Sequence, residues 1–136
     1  MPLVQQEFCS RPNHPPPGAA PVWTPEEGKW YSIGPRIWEL LLNGERESHN
    51  KSVLQWYEPG ATSVTDEIIT HPYIEEVCFI EVGLEDVSLG QGWRTGAYAC
   101  RLPGMKHGPY KASPQGCLQF VKLVPAPEES GTIDKS

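Results

Sequence analysis

The sequence has no cluster of basic residues, no long apolar segment and no leader-like start, and each absence excludes a class of protein. Eleven Lys and Arg stand against 17 Asp and Glu, which gives a formal net charge of −6. Without a basic patch for a phosphate backbone, nucleic acid is not an expected partner. No apolar run approaches the roughly 20 residues that span a bilayer, so no membrane attachment is expected. The N-terminus lacks the charge and apolar stretch of a signal peptide, and we predict a cytoplasmic protein.

Closely spaced cysteines are also missing. The four cysteines, at positions 9, 78, 100 and 117, are far apart and form no C-x-x-C pair. Zinc sites built on cysteine use short ligand spacings, so such a site is not expected. In a reducing compartment we expect free thiols, three of them packed as small core residues.

Proline and glycine, by contrast, are abundant, with 15 and 13 of the 136 residues. This composition favours short strands joined by turns over long helices. The length predicts one domain with a core of its own. Residues 1–22 are rich in proline and are predicted to form an extended arm, either loose or laid along a partner surface. Residues 23–124 form the folded domain, and residues 125–136 a polar tail.

Apolar and β-branched runs bounded by turn signals predict five strands. They cover residues 36–42, 52–57, 73–82, 96–101 and 117–124. Within the first run, Trp38 to Leu42 could instead be a short helix. Short strands at this spacing predict a small barrel or sandwich.

One stretch combines a histidine with two glutamates at the head of an apolar run. If residues 71–79 are a strand, alternate side chains share a face, so His71, Tyr73 and Glu75 point the same way and Glu76 points elsewhere. His107 follows a tight turn after a different strand, and such a turn can aim its side chain at a neighbouring strand. Two imidazoles and a carboxylate suit a divalent transition metal. The other two histidines, His14 and His49, lie in proline-rich or charged turns and are predicted on the surface.

These residues belong to two blocks along the chain. Gly60, His71, Glu75 or Glu76, and Gly83 make up the first, and Gly96, Pro103, Gly104 and His107 the second. Over roughly residues 22–124 the chain resembles the cupin superfamily, whose motifs are a glycine, a His-x-His pair, a glutamate and a closing glycine, then a glycine, a Pro-Gly turn and a histidine. It looks most like the anti-sigma-factor type of cupin domain, and it is also similar to one-domain dihydroxyacetophenone dioxygenases. The resemblance implies an all-β, double-stranded β-helix with a jelly-roll-like barrel.

The sequence departs from the family pattern at one ligand. Ile69 stands where the first histidine of the His-x-His pair is expected. The resemblance then implies a metal held by His71, Glu75 and His107, with Fe(II) favoured and Zn, Mn or Ni as alternatives; Glu67 is an alternative fourth ligand. A set of two histidines and one carboxylate leaves open positions for oxygen or a chelating substrate. The opposite interpretation is a metal-free barrel in which His71 and Glu75 are a hydrogen-bonded pair.

The resemblance leaves three classes of function open. The first is a dioxygenase acting on a small carbonyl- or phenol-containing metabolite, with His71, Tyr73 and Glu75 as catalytic candidates. The second is a non-redox lyase, dehydratase, decarboxylase or isomerase that uses Glu75 as acid or base, with or without metal. The third is a non-catalytic module that binds a small molecule. Alternate barrel side chains point inward, which makes four aromatic residues candidates for the pocket: Trp38, Trp56, Tyr73 and Tyr98. Many cupins pair as dimers, so a homodimer is predicted, with the arm able to cross to the partner.

Overall fold

A computed structural model describes residues 3–63 and 68–126. Those residues form seven β-strands and no helix, which confirms the all-β prediction. The run that could have been helical is strand β2. The strands are β1 (Tyr31–Gly34), β2 (Ile37–Gly44), β3 (Lys51–Tyr57), β4 (Ile74–Asp86), β5 (Gln91–Gly92), β6 (Tyr98–Arg101) and β7 (Tyr110–Val124).

The strands form one antiparallel sheet in the order β1-β2-β3-β7-β4-β5, and β6 also pairs with β4. The long strands β4 and β7 pair with each other over most of their length. The start of β7 also bonds to the segment before β4, because Ser63 N donates to Tyr110 O at 2.9 Å and Ala112 N donates to Ala61 O at 2.7 Å. The sheet therefore wraps around the space where the two blocks of motif residues meet.

Strand β4 changes its inward-facing side at a bend. Its register with β7 is irregular between Phe79 and Glu81 and again between Val82 and Leu84. Before the bend the odd-numbered Phe79 is buried, and after it the even-numbered Leu84 and Asp86 are buried. A bulge adds a residue to one strand only, so it reverses which side chains point inward. Simple alternation predicts the interior as far as residue 79 and fails beyond it.

Two apolar clusters lie on opposite faces of β2 and β3. Val53 belongs to the interior cluster that includes Val77, Phe79 and Val121. Trp56, three residues further along β3, belongs instead to the second cluster. Its buried members are Trp30, Trp38, Leu40 and Trp56. An odd step along a strand reverses the face, which accounts for the separation.

The proline-rich arm covers this tryptophan cluster of its own chain. Trp30 Nε1 donates to the carbonyl of Pro12 at 2.9 Å. The ring of His14 stacks on Trp56 with 3.7 Å between the ring centroids. The prediction of a solvated His14 is therefore wrong, because the ring covers an indole that would otherwise face water. The homodimer stays a prediction.

Burial separates the cysteines. All four are free thiols, but only Cys117 is buried, while Cys9 and Cys100 are exposed. The prediction of three core thiols is wrong because Cys78 and Cys100 lie on the outward face of β4 and β6. Among the described residues no helix is long and apolar enough to cross a membrane.

We predict that Gly83 is essential to the bend of β4. A Cβ at this position would lie 1.7 Å from the carbonyl oxygen of Trp93. Gly83→Ala should lower the free energy of unfolding by about 1–3 kcal/mol or more, because the obstacle is backbone and must shift. Gly92→Ala is the matched control, since its nearest atom would lie at 3.7 Å, an ordinary contact. Urea unfolding of both variants measures the difference, and equal stabilities would contradict the prediction.

Candidate metal centre

The structure brings His71, Glu75 and His107 together in the interior. One potential ligand atom from each residue lies within 4.8 Å of those of the other two. Nε2 of His71 and Oε1 of Glu75 are 3.9 Å apart. Two donors of one transition-metal ion, each bonded at about 2.0–2.1 Å, lie at most about 4.2 Å apart. Small side-chain rotations are enough for all three to reach one ion.

Backbone hydrogen bonds between two segments set the positions of the histidines. Ile69 and His107 exchange two of them, with N···O distances of 2.7 and 2.9 Å. Two residues after Ile69, the carbonyl of His71 accepts a hydrogen bond from Gly104 N at 2.9 Å. The carboxylate of Asp86 accepts a hydrogen bond from Gly108 N at 3.1 Å and so holds the chain directly after His107.

A tyrosine hydroxyl orients each imidazole. Tyr73 Oη is 3.0 Å from Nδ1 of His71, and Tyr110 Oη is 2.8 Å from Nδ1 of His107. Such contacts to the outer ring nitrogen orient the imidazole ligands of metal sites. The Nε2 atoms of both rings are then available to face the centre of the site. Nε2 of His107 is buried and has no hydrogen-bond partner among the described residues. An unpartnered buried nitrogen is costly, and together with the neighbouring donors it fits a bound divalent metal.

Burial keeps both imidazoles neutral. It lowers the pKa of His107 to about 4, and the positive charge of Arg101 and the neighbouring His71 add to the effect. Burial also lowers the pKa of His71, which the charge of Glu75 opposes and that of Arg101 reinforces. Only a neutral imidazole can bind a metal. The site therefore has its histidines in the protonation state that ligation needs.

Arg101 is a member of the centre that sequence reasoning missed. Its Nη1 is 3.0 Å from Oε1 of Glu75, and its Nη2 donates to Tyr110 Oη at 2.6 Å. Burial raises the pKa of Tyr110 to about 12, against the lowering effect of Arg101. Glu75 and Arg101 are directly opposite in the β4–β6 pairing. Opposite charges that face each other across two paired strands attract. The ion pair could therefore have been predicted from the sequence if the pairing of β4 with β6 had been known.

The three residues line a cavity of about 270 Å³. Every second side chain from 71 to 79 lines it, as the strand period predicts, whereas Glu76 points outward and accepts a hydrogen bond from the Tyr98 hydroxyl. The remaining lining mixes apolar side chains with amides and hydroxyls. The full lining is Gln55, Tyr57, Ser63, Ile69, His71, Tyr73, Glu75, Val77, Phe79, Leu84, Arg101, His107, Tyr110 and Gln119.

Of the four aromatic residues predicted for the pocket, Tyr73 lines this cavity and three do not. Trp38 and Trp56 lie in the second apolar cluster, because Gln55 and Tyr57 take the inward positions of β3. Tyr98 is 61% exposed on the outer face of β6. The prediction for these three residues is corrected.

Two further predictions concern residues at the margin of the site. His49 is not a plain surface residue, because its ring lies 4.4 Å from the ring of Tyr73. It reaches the site from the loop between β2 and β3. Glu67, the alternative fourth ligand, lies outside the described residues.

Comparison with known proteins finds matches among solved structures. No protein-family model matches the chain, and no curated protein does.

Three solved structures illustrate the likeness. A cupin of the RmlC-like type from Shewanella frigidimarina is 19% identical, over 75% of this chain and 87% of that one, with a TM-score of 0.56. In the complex of SigE with the anti-sigma ChrR from Rhodobacter sphaeroides, the matched chain is 14% identical, with a TM-score of 0.56. The match covers 71% of this chain but only 49% of that one, about half of its length. An acetylacetone dioxygenase from Acinetobacter johnsonii is 13% identical, over 88% of this chain and 80% of that one, with a TM-score of 0.54.

These matches confirm the resemblance that the motif residues carry. The likeness extends over most of this chain, and the three structures are all cupins or contain a cupin domain. The protein has the cupin fold.

Proposed function

We propose that the protein is a metal-dependent enzyme that acts on a small carbonyl- or phenol-containing metabolite by a dioxygenase-type reaction. The observation that carries the proposal is the approach of one ligand atom each from His71, Glu75 and His107 to within 4.8 Å of one another, together with the buried, unpartnered Nε2 of His107. His71, Glu75 and His107 would hold the metal, with Fe(II) favoured. The likeness to a dioxygenase whose name specifies a dicarbonyl substrate supports this reaction class.

The side chain of Ile69 supports an open centre. It lines the cavity at the position where the family pattern has a further histidine. Its alkyl group cannot ligate, so a bound ion keeps positions free. A bound divalent metal would supply Lewis acidity and, as iron, access to dioxygen.

The other cavity residues bind, orient and exclude water. Tyr73 and Tyr110 hold the imidazole rings through Nδ1, so each Nε2 keeps its direction when a substrate enters. Val77, Phe79 and Leu84 form an apolar wall that excludes water from the reacting atoms. Arg101 stays hydrogen-bonded to Glu75 and limits the rotation of that carboxylate.

A non-redox reaction is the second candidate. Glu75 and His71 are 3.9 Å apart, and Arg101 supplies a counter-charge without any metal. A carboxylate and an imidazole in a small cavity can move a proton for a lyase or an isomerase. A binding module without catalysis is the third reading, and it predicts no turnover of any dicarbonyl or phenolic compound.

We predict that metal binding depends on Glu75 and not on its neighbour. Glu75→Gln and His107→Ala should weaken Zn(II) binding by at least about 100-fold, since even residues that orient metal ligands are worth about 10- to 100-fold. Glu76→Gln is the matched control, because Glu76 faces outward and bonds to Tyr98. Competition titration against a chromogenic chelator gives the affinities, and metal analysis of protein purified without chelators gives the natural ion. Equal affinities for the two glutamate variants would contradict the proposal.

Exhaustive chelation separates the two catalytic candidates. The dioxygenase requires that oxygen consumption with a dicarbonyl or phenolic panel stops on chelation and returns with Fe(II). Turnover that survives chelation eliminates it and favours Glu75 as acid or base.

We predict that Ile69→His closes the centre. A third imidazole should raise the affinity for Zn(II) by about 10-fold or more, since it adds a donor to an incomplete set. It should also weaken chelation by a bidentate ligand, because one open position is lost. Ile69→Val is the control, since it keeps the apolar side chain. If Ile69→His binds metal no better than Ile69→Val, position 69 does not face the ion.

We predict that metal binding resists acid. Burial lowers the pKa of His107 to about 4 and also lowers the pKa of His71, so protons compete for these ligands only at a more acidic pH than for ordinary imidazoles. Between about pH 7.5 and 5.5 the affinity for Zn(II) should therefore fall less than it would with two imidazoles of pKa near 6.5. Arg101→Gln removes a charge that lowers the pKa of both histidines, so its acid edge should move to higher pH. An acid edge near pH 6.5 in the unmodified protein would contradict the assignment.

A further inference from the structure

Arg101 is the one cationic side chain among the described residues that line the candidate metal cavity. Its side chain is 14% exposed. Nη1 contacts Glu75, and Nη2 contacts Tyr110. A guanidinium carries five N–H donors, so these two contacts leave further donors for a ligand beside the metal-ligating carboxylate.

We infer that the substrate is a small carboxylate with a carbonyl oxygen on the adjacent carbon, a 2-oxo acid, and that Arg101 binds its carboxylate. This inference rests on the proposed metal centre and narrows the substrate class of that site. Planar guanidinium groups bind carboxylates through paired, charge-assisted hydrogen bonds. The carbonyl oxygen of such an acid would be left for the metal.

The charge balance of the cavity favours an anion. Arg101 and Glu75 cancel each other, and histidines that ligate a metal are neutral. A divalent ion therefore adds two positive charges that no described residue of the cavity lining balances. Asp86 lies behind His107 and outside the lining, where its carboxylate accepts hydrogen bonds from Ser88, Leu89 and Gly108. Its negative charge acts on His107 and offsets part of the excess, but it does not contact a ligand in the cavity. Buried charge without a counter-charge is costly, so a neutral ligand would leave the excess in place.

Among the described residues, no other polar group of the cavity lining carries the fixed positive charge of Arg101. The amide of Gln119 donates to Oε1 of Gln55 at 2.8 Å, and the amide of Gln55 donates to Glu39 at 3.0 Å. These amides are engaged with each other and with a buried carboxylate. Burial raises the pKa of the Tyr57 hydroxyl, which is therefore neutral.

Size and wall chemistry limit the rest of the molecule. A cavity of about 270 Å³ lies just below the roughly 300–1,000 Å³ of ordinary ligand pockets. Phe79, Val77 and Leu84 line the same small space as Arg101. The acid should carry a short apolar substituent and no second charge.

Calorimetry with two matched probes tests the inference. The probes are 2-oxobutanoate and 2,3-pentanedione, in which an acetyl group replaces the carboxylate. The protein is loaded with Zn(II) to prevent turnover. The unmodified protein should bind the acid at least about 10-fold more tightly than the diketone. Arg101→Gln should lower the affinity for the acid by about 10- to 100-fold and change the affinity for the diketone by less than about threefold.

Two variants control for charge and for fold. Arg101→Lys keeps the charge without the planar fork and should retain part of the preference for the acid. Arg94→Gln removes an exposed arginine that lines a different groove and should change nothing. Circular dichroism and metal content of each variant establish that fold and centre are intact.

The outcomes separate this inference from the proposed function. If Arg101→Gln lowers the affinity for both probes equally, the inference is overturned while the metal centre stands. The same holds if the unmodified protein shows no preference for the acid. Protein that binds no Zn(II) overturns the proposed function. If that metal-free protein still binds 2-oxobutanoate through Arg101, the role of the arginine is supported on its own.

Discussion

Two backbone hydrogen bonds between Ile69 and His107 hold the candidate centre together. They fasten the segment before β4 to the loop after β6, so His71 and His107 meet although 35 positions separate them in the sequence. The pairing of Glu75 with Arg101 extends the same contact into the sheet. The tyrosines, the apolar wall and the arginine then act on a geometry that the backbone provides. Backbone pairing of this kind holds ligands in place before any ion binds, which reduces the conformational entropy lost on binding.

Part of this site could be predicted from the sequence because one physical rule governs it. Residues 71–79 alternate as an extended strand, so His71, Tyr73 and Glu75 share a face and Glu76 does not. The two blocks of motif residues supplied His107 through the resemblance to cupins. The same alternation fails at the bend of β4, where two register irregularities turn Leu84 and Asp86 inward. Irregularities of this kind depend on the partner strand, and a single sequence does not reveal the partner.

The tryptophans and the arginine show a second limit. Trp38 and Trp56 are large and apolar, and such side chains are equally suited to a pocket wall and to a core. They belong to a core because they lie on the face of the sheet that the N-terminal arm covers. Arg101 has no local signal, because its importance comes from lying opposite Glu75 and beside Tyr110. Both features depend on contacts between segments distant in the sequence. Strand pairing, and not composition, carries that information.

The proposed centre combines a divalent metal with a fixed cation, and the two act on the same carboxylate. Glu75 is hydrogen-bonded to Arg101 on one side and faces His71 on the other. Without metal, the arginine balances the carboxylate. With metal, the same arginine would become part of a positive excess that selects an anionic ligand. X-ray absorption of the Zn(II)-loaded protein tests the central claim most directly. We predict two imidazoles and at least one oxygen at about 2.0–2.2 Å; a shell with no imidazole, or with sulfur, would contradict the account.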